Sequence, residues 1–380
     1  MDMYRINGII DRAIESGAET GAAFVLVKDG KPVHEYSAGL ADIAEGKPFA
    51  PDTICRAFSC SKIVTATAAM ILMERGRLDP AYPIEWFIPE FKDAYYIKDG
   101  EKIASPQIRI RDLLNMTSGI AYPGGGYEGA DGMNKVWGDL EKSIREGRSM
   151  TTREFAAAAG KAPLAYPAGR EWMYGSSADI LGAVIEILAD TELSEFYAEN
   201  IFEPLGMEDT AFFVPPEKRG RLGVLYEGAG KDAKPIGWTN LCIFDYDSEP
   251  AFRSGGAGLF STARDFAKLG AELSCGGAGV ISRRAVDFMR ENGLTPEQKI
   301  TLNWDSTRGY GYGNLVRCLE DRNAAGTFAT KGAFGWDGWT GTYLLCDPAE
   351  KTAVTLFVQR AGGGTTQLSR DIVNAVYAAL

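Results

Sequence analysis

Ser59-Cys60-Ser61-Lys62-Ile63-Val64-Thr65-Ala66-Thr67-Ala68-Ala69-Met70-Ile71-Leu72 reads as a helix that is apolar nearly all round, with a serine and a lysine at its head. A helix with no polar face is a buried one, so the stretch predicts a central element around which other layers pack, ending at Gly76. A spacing of three residues sets Ser59 and Lys62 on one helical face, one turn apart. The helix N-terminus also leaves backbone N–H groups free to receive developing negative charge. A serine hydroxyl is a weak nucleophile until a base takes its proton, and this is the only S-x-x-K in the chain.

Before the helix, residues 3–17 have an amphipathic helical pattern (Ile6, Ile9, Ile10, Ala13, Ile14). Two β-rich runs, 22–27 and 32–36, then flank Asp29-Gly30 as a hairpin. From about 78 the pattern changes to helices separated by turn-rich stretches: Ile110–Met116, Thr152–Ala159 and Ser177–Ala189. After about 222 the chain is expected to turn β-rich again, with Thr352–Val358 a clear strand and a last helix through Leu368, Ile372, Val376 and Leu380. This order predicts an α/β sheet domain, 1–77 with 222–380, interrupted by a mostly helical domain over 78–221, with the active site between them.

A chain of 380 residues can bury a large core, and 45% hydrophobic with 24% charged residues is ordinary for a globular protein. The net charge of −11 leaves no basic stripe to neutralise phosphates, which argues against nucleic acid and anionic membrane as partners. The six cysteines show no C-x-x-C or metal-ligand spacing. Met1-Asp2-Met3-Tyr4-Arg5 leads into an amphipathic pattern, not a signal peptide, and no run approaches the roughly 20 apolar residues of a membrane span. A reduced, cytoplasmic protein is the expectation.

His34 is the only histidine and lies in a hairpin strand, where an ordinary half-exposed residue is the better reading than a catalytic base. A serine nucleophile must therefore use lysine, tyrosine or a carboxylate. Lys62 serves if burial pulls its pKa toward neutrality; local sequence fits equally well with a lysine snorkelling to the surface. Tyr174-Gly175-Ser176-Ser177 places a phenol at a helix mouth, beside serines suited to N-capping. It could relay a proton or be a core tyrosine. Gly335-Trp336-Asp337-Gly338-Trp339-Thr340-Gly341, just before Tyr343-Leu344-Leu345-Cys346, is either a tight turn or a strand edge close to a nucleophile.

The three motifs in this order resemble the serine β-lactamase-related proteins: class C β-lactamases, D-Ala-D-Ala carboxypeptidases, D-aminopeptidases and family VIII carboxylesterases. Leu113-Leu114-Asn115-Met116-Thr117-Ser118-Gly119, Glu203-Pro204-Leu205-Gly206-Met207 and Gly255-Gly256-Ala257-Gly258-Leu259-Phe260-Ser261-Thr262 also look like theirs. The resemblance implies a β-lactamase/transpeptidase-like fold, an antiparallel sheet flanked by helices, and no cofactor or metal. It makes Ser59 the acylated nucleophile, with Lys62 and Tyr174 as a proton-shuttling pair in which an anionic Tyr174 takes the Ser59 proton. The N–H groups of Ser59 and Trp339 become the oxyanion hole, and Ser176 orients Lys62 or the substrate. Tyr122, Trp336, Asp337, Gly338 and Arg360 are the further substrate-binding candidates.

Lactamases carry Lys-Thr-Gly where this chain has Trp336-Asp337-Gly338. Their lysine helps hold a substrate carboxylate by charge-assisted hydrogen bonding; tryptophan offers one neutral donor, with Lys331 or Arg360 left as replacement cations. Trp-x-Gly is also what the esterase branch tends to carry. The expectation is a serine hydrolase of small carboxylic esters. A β-lactamase, a D-amino-acid peptidase, an acyltransferase and a non-catalytic sensor are the alternatives.

Overall fold

Asp29-Gly30, with φ of 51° and 75°, turns the chain between β1 (Gly21–Lys28) and β2 (Lys31–Asp42). Paired positive φ values are what a two-residue hairpin turn requires. The computed structural model describes residues 3–228, 230–236, 238–277 and 279–380; Met1 and Asp2, which open the N-terminal reading, lie outside them. The hairpin continues into β3 (Lys47–Pro48) and is joined by five C-terminal strands: β4 (Tyr310–Gly313), β5 (Val316–Leu319), β6 (Phe334–Asp337), β7 (Tyr343–Asp347) and β8 (Thr352–Val358). Together they form an eight-stranded sheet of order β4-β5-β6-β7-β8-β1-β2-β3, and each of these pairings is antiparallel.

The main helices are α1 (Met3–Glu15), α2 (Ser61–Glu74), α3 (Ile110–Leu114), α4 (Ala130–Arg145), α5 (Thr152–Gly160), α6 (Ser177–Ala189), α7 (Ala263–Ser274) and α8 (Gln367–Ala379). Both faces of the central sheet are covered. Ala22, Phe24 and Leu26 of β1 join Ile6 and Ile10 of α1 and Ile372 and Val376 of α8 in one apolar cluster. Ala23, Val25 and Val27, facing the other way, join Phe266, Leu269 and Leu273 of α7. A strand alternates its side chains between two faces, so burial on both explains why β1 is apolar at every position from Ala22 to Val27. The helix α2 packs between β5, β6 and α6, and Ser61–Leu72 are all buried.

The sheet and the central helix follow the sequence reading, with one local change: Ser59 sits in a short 3₁₀ turn, Phe58–Cys60, that leads into α2. The expected β-rich segment from 222 departs more. Among the described residues, 222–309 hold only two-residue strands, and α7 forms there because Phe266, Leu269 and Leu273 recur at helical spacing behind a Thr262 cap on the Asp265 N–H. The sequence reading also overlooks α4 and a hairpin at Tyr95–Lys98 and Glu101–Ala104. Among the described residues, no helix is long and apolar enough to cross a membrane.

The Phe266 ring lies 5.3 Å from that of Phe357 in β8, and both are fully buried. Phe266→Ala should therefore cost about 3–5 kcal/mol of unfolding free energy, measured by chemical denaturation. A loss below about 1 kcal/mol would show that α7 does not anchor the sheet in this way.

Candidate active site

Cys55–Arg56 pairs with Phe260–Ser261, and the chain then bends sharply into the 3₁₀ turn, with Phe58 at φ 43°. Left-handed backbone at a phenylalanine costs of order 1–3 kcal/mol and persists only where neighbours hold it. They do so here. The Ala57 N–H donates to the Leu259 carbonyl (2.8 Å), and the Leu259 N–H donates to Ser61 Oγ (3.1 Å). Thr340 and Thr342 donate their hydroxyls to the carbonyls of Arg56 and Ala57, both at 2.8 Å. A Cβ on Gly338 would stand 2.3 Å from the Ala57 oxygen, so only glycine lets the third motif approach this closely. Trp339, between Gly338 and Thr340, thereby packs against Phe58, the residue before Ser59, with 5.1 Å between ring centroids. Neither the Ser59 nor the Trp339 N–H has an acceptor among the described residues. Ser59 itself is 8% exposed, reachable from solvent.

Lys62 is fully buried, not snorkelling. Its Nζ donates to the Gly256 carbonyl (2.8 Å), to the Tyr122 hydroxyl (3.0 Å) and, at longer range, to Ser59 Oγ (3.3 Å). Burial pulls its pKa down to about 7; the negative charge of Asp179 acts in the opposite direction, followed by Cys60 and Asp337. Asp179, on α6, is fully buried as well. Its Oδ1 accepts from Ser254 Oγ (2.5 Å) and from the Gly256 N–H (3.1 Å), while its Oδ2 has no partner among the described residues. A Cβ on Gly256 would come within 2.8 Å of the Tyr122 oxygen and 3.0 Å of Asp179 Oδ2, so glycine is needed for these groups to converge on the lysine.

Tyr174 lies beside the pair, with Lys62 Nζ 4.5 Å from its ring centroid. Its oxygen accepts from Trp336 Nε1 (2.9 Å). Burial drives the phenol well above its ordinary range, outweighing the lowering by the neighbouring Ser59 and Trp336 donors. The anionic Tyr174 expected from the sequence is thus opposed by its surroundings, while the amine beside it is half-neutral near pH 7. Of the two, Lys62 is the group that burial pushes toward its neutral form near pH 7.

The structure brings Ser59, Lys62, Tyr174, Tyr122, Trp336, Gly338 and Trp339 together, and it revises four of the expected substrate contacts. Ser176 does not face Lys62: it is fully buried, and its hydroxyl donates to the Ala121 carbonyl and accepts from Trp137 Nε1. It also makes no side-chain cap on α6. Trp336 is 2% exposed and spends its one donor on Tyr174. The Asp337 carboxylate pairs with buried Arg317 (2.7 Å) and accepts from Thr365 (2.5 Å). Arg360 points to Glu19, making two contacts of 3.0 Å with that buried carboxylate. Lys331 is exposed, in the turn before β6. His34 lies in β2, its Nε2 2.7 Å from Asn7 Oδ1.

Sequence reasoning missed Asp179 and Arg317. Arg317 is the one charge in Val316–Leu319, and Asp179 is one of two, with Glu186, in the largely apolar Ser177–Ala189; a buried charge is costly unless something nearby uses it.

The family model described as Beta-lactamase matches residues 6–379. Esterase EstB of Burkholderia gladioli is 28% identical over 402 aligned residues, covering 98% of this chain and 95% of EstB. Monacolin J acid methylbutanoyltransferase of Aspergillus terreus is 24% identical, covering 87% of this chain and 83% of its own. The solved structure of EstCE1, a hydrolase with promiscuous acyltransferase activity, superposes with a TM-score of 0.80 at 25% identity, covering 98% of both chains. With its motifs, its sheet and nearly its whole length accounted for, the chain belongs to the β-lactamase family of serine hydrolases.

Proposed function

We propose that this enzyme hydrolyses small, uncharged carboxylic esters through an acyl-enzyme on Ser59. The observation that carries the reading is Trp336, buried and committed to Tyr174 where lactamases of the family carry a lysine. Of the candidate cations, Arg360 is engaged with Glu19 and Lys331 is exposed in the turn before β6, while the buried Arg317 is engaged with Asp337. Neither guanidinium is left for a substrate carboxylate, whereas a neutral ester needs no cation. On this reading the site lies between segment 78–221, which supplies Tyr122 and Tyr174, and segments 1–77 and 222–380, which supply Ser59, Lys62 and Trp339.

The neutral Lys62 amine takes the Ser59 proton as Oγ bonds to the ester carbonyl carbon. The N–H groups of Ser59 and Trp339 receive the oxyanion. As the tetrahedral intermediate collapses, the C–O bond to the alcohol breaks and the leaving oxygen takes the Tyr174 proton. That proton is replaced from the Lys62 ammonium, restoring both groups. Water then attacks the acyl carbonyl, giving up its proton to the same pair, and Ser59 leaves with a proton. An alcohol in place of water would give acyl transfer, the reaction named for the Aspergillus terreus relative and for EstCE1.

Dimethyl succinate and monomethyl succinate differ in one negative charge, and Ser59→Ala provides the blank. We expect the diester to exceed the monoanion by about tenfold or more in kcat/KM, the loss that ~1–3 kcal/mol of unpaired charge produces. Ser59→Ala should be inactive on both, and intact mass should show an acyl group on the wild type alone. Equal turnover of the monoanion would contradict the neutral-substrate reading; turnover by Ser59→Ala would contradict the acyl-enzyme.

Because Lys62 must be neutral to act, kcat/KM should fall below a pKa of about 7. The charges facing Lys62 are Asp179 and Asp337, with the phenols of Tyr122 and Tyr174 and the Cys60 thiol around it. The Asp179 charge favours the ammonium, so Asp179→Asn should move the acid limb to lower pH, by about one unit or more. A purely structural role for Asp179 would lower the rate and leave the limb where it is.

A further inference from the structure

Two tryptophans that the mechanism does not use stand exposed near the site. Trp304 is 43% exposed, and its ring meets those of Tyr174 and Trp172 edge-on, at 5.2 and 5.1 Å. Trp238 is 51% exposed and meets Trp339 edge-on at 5.4 Å, with Trp339 in turn 5.1 Å from Phe58. One lies against the candidate acid, the other against the candidate oxyanion donor.

The segment carrying Trp304 is fixed. Thr307 donates both its N–H (3.0 Å) and its hydroxyl (2.8 Å) to the Trp304 carbonyl, and Thr301 Oγ1 accepts from the Trp172 N–H (2.9 Å). Asp305, next in the chain, pairs with Arg370 at 2.9 Å. Ile300, 75% exposed, adds a second apolar side chain to the same segment. A large indole held rigidly and half in water loses little entropy when a ligand covers it.

We infer that Trp304 forms the binding site for the alcohol portion of the ester, and that the preferred leaving groups are flat apolar alcohols, arylalkyl ones in particular. The inference rests on the proposed ester hydrolysis and deepens it. The leaving oxygen must come within hydrogen-bond reach of the Tyr174 hydroxyl to collect its proton. The carbon chain attached to that oxygen then extends over what borders Tyr174, and the exposed aromatic surface there is Trp304. The carbonyl oxygen faces the other way, toward the Ser59 and Trp339 N–H groups, so Trp238 borders the opposite side of the reacting carbon.

The test compares 2-phenylethyl acetate with ethyl acetate, two esters with the same acyl group and alcohols of similar acidity, and uses ethyl hexanoate against ethyl acetate as the acyl-side control. Wild type should prefer the arylalkyl ester, with the preference carried in KM. Trp304→Ala should reduce that ratio about threefold to tenfold, the range expected from one aromatic contact, without moving the acyl-side ratio. Trp304→Phe should keep most of the preference. The subsite is overturned if Trp304→Ala leaves the ratio unchanged in an active enzyme, or if Trp238→Ala lowers it as much. Failure of the wild type to turn over any of the three esters would instead overturn the esterase reading, and this subsite with it.

Discussion

The rest of the site depends on one amine held out of water. Lys62 is sealed in the first turn of the central helix and makes no ion pair among the described residues; its Nζ donates to a carbonyl and two hydroxyls and lies over the Tyr174 ring. Burying an ammonium that way is unfavourable, and the free energy is recovered by giving up the proton near neutral pH. The lysine is thereby available as a base without a histidine. The same surroundings hold Tyr174 as a neutral phenol, able to give a proton where Lys62 takes one. In the proposed mechanism, two groups whose pKa values are pushed from their ordinary ranges in opposite directions divide the acid and base work.

Around this amine the two ends of the polypeptide are drawn together. The turn carrying Ser59 is stitched to the segment after β6 by Thr340 and Thr342, and Gly338 lets the two backbones meet. The sheet can supply that edge because β8 pairs with β1, joining strands more than 300 residues apart in the chain. Burial of both sheet faces, against α1 and α8 on one side and α7 on the other, holds that segment rigidly, as the proposed oxyanion site requires.

Much of this was legible in the sequence, for identifiable reasons. Ser59 and Lys62 are three residues apart on an apolar helix, so their meeting is set locally. The hairpin, the final strand and the closing helix carry their periods in the open. What could not be read was where side chains tens to hundreds of residues apart would meet. Trp336 has the chemistry of a substrate ligand in sequence, yet donates to Tyr174, 162 positions earlier. Ser176 has the chemistry of a cap or a lysine partner, yet is turned into the core by Trp137 and Ala121. Arg360 was a candidate cation until Glu19, at the other end of the chain, claimed it. Two signals were present and passed over: the charges of Asp179 and Arg317 within largely apolar elements, and the helical spacing of Phe266, Leu269 and Leu273.

The account turns on the protonation state of Lys62, which NMR titration of the resting protein reads without substrate. With lysine ¹³C-labelled at Cε, and Lys62→Gln assigning the resonance, one signal should titrate near 7 while the others titrate in the ordinary lysine range. A Lys62 midpoint above about 9 would contradict the account, because the amine would then be charged at neutral pH and could not take the proton of Ser59.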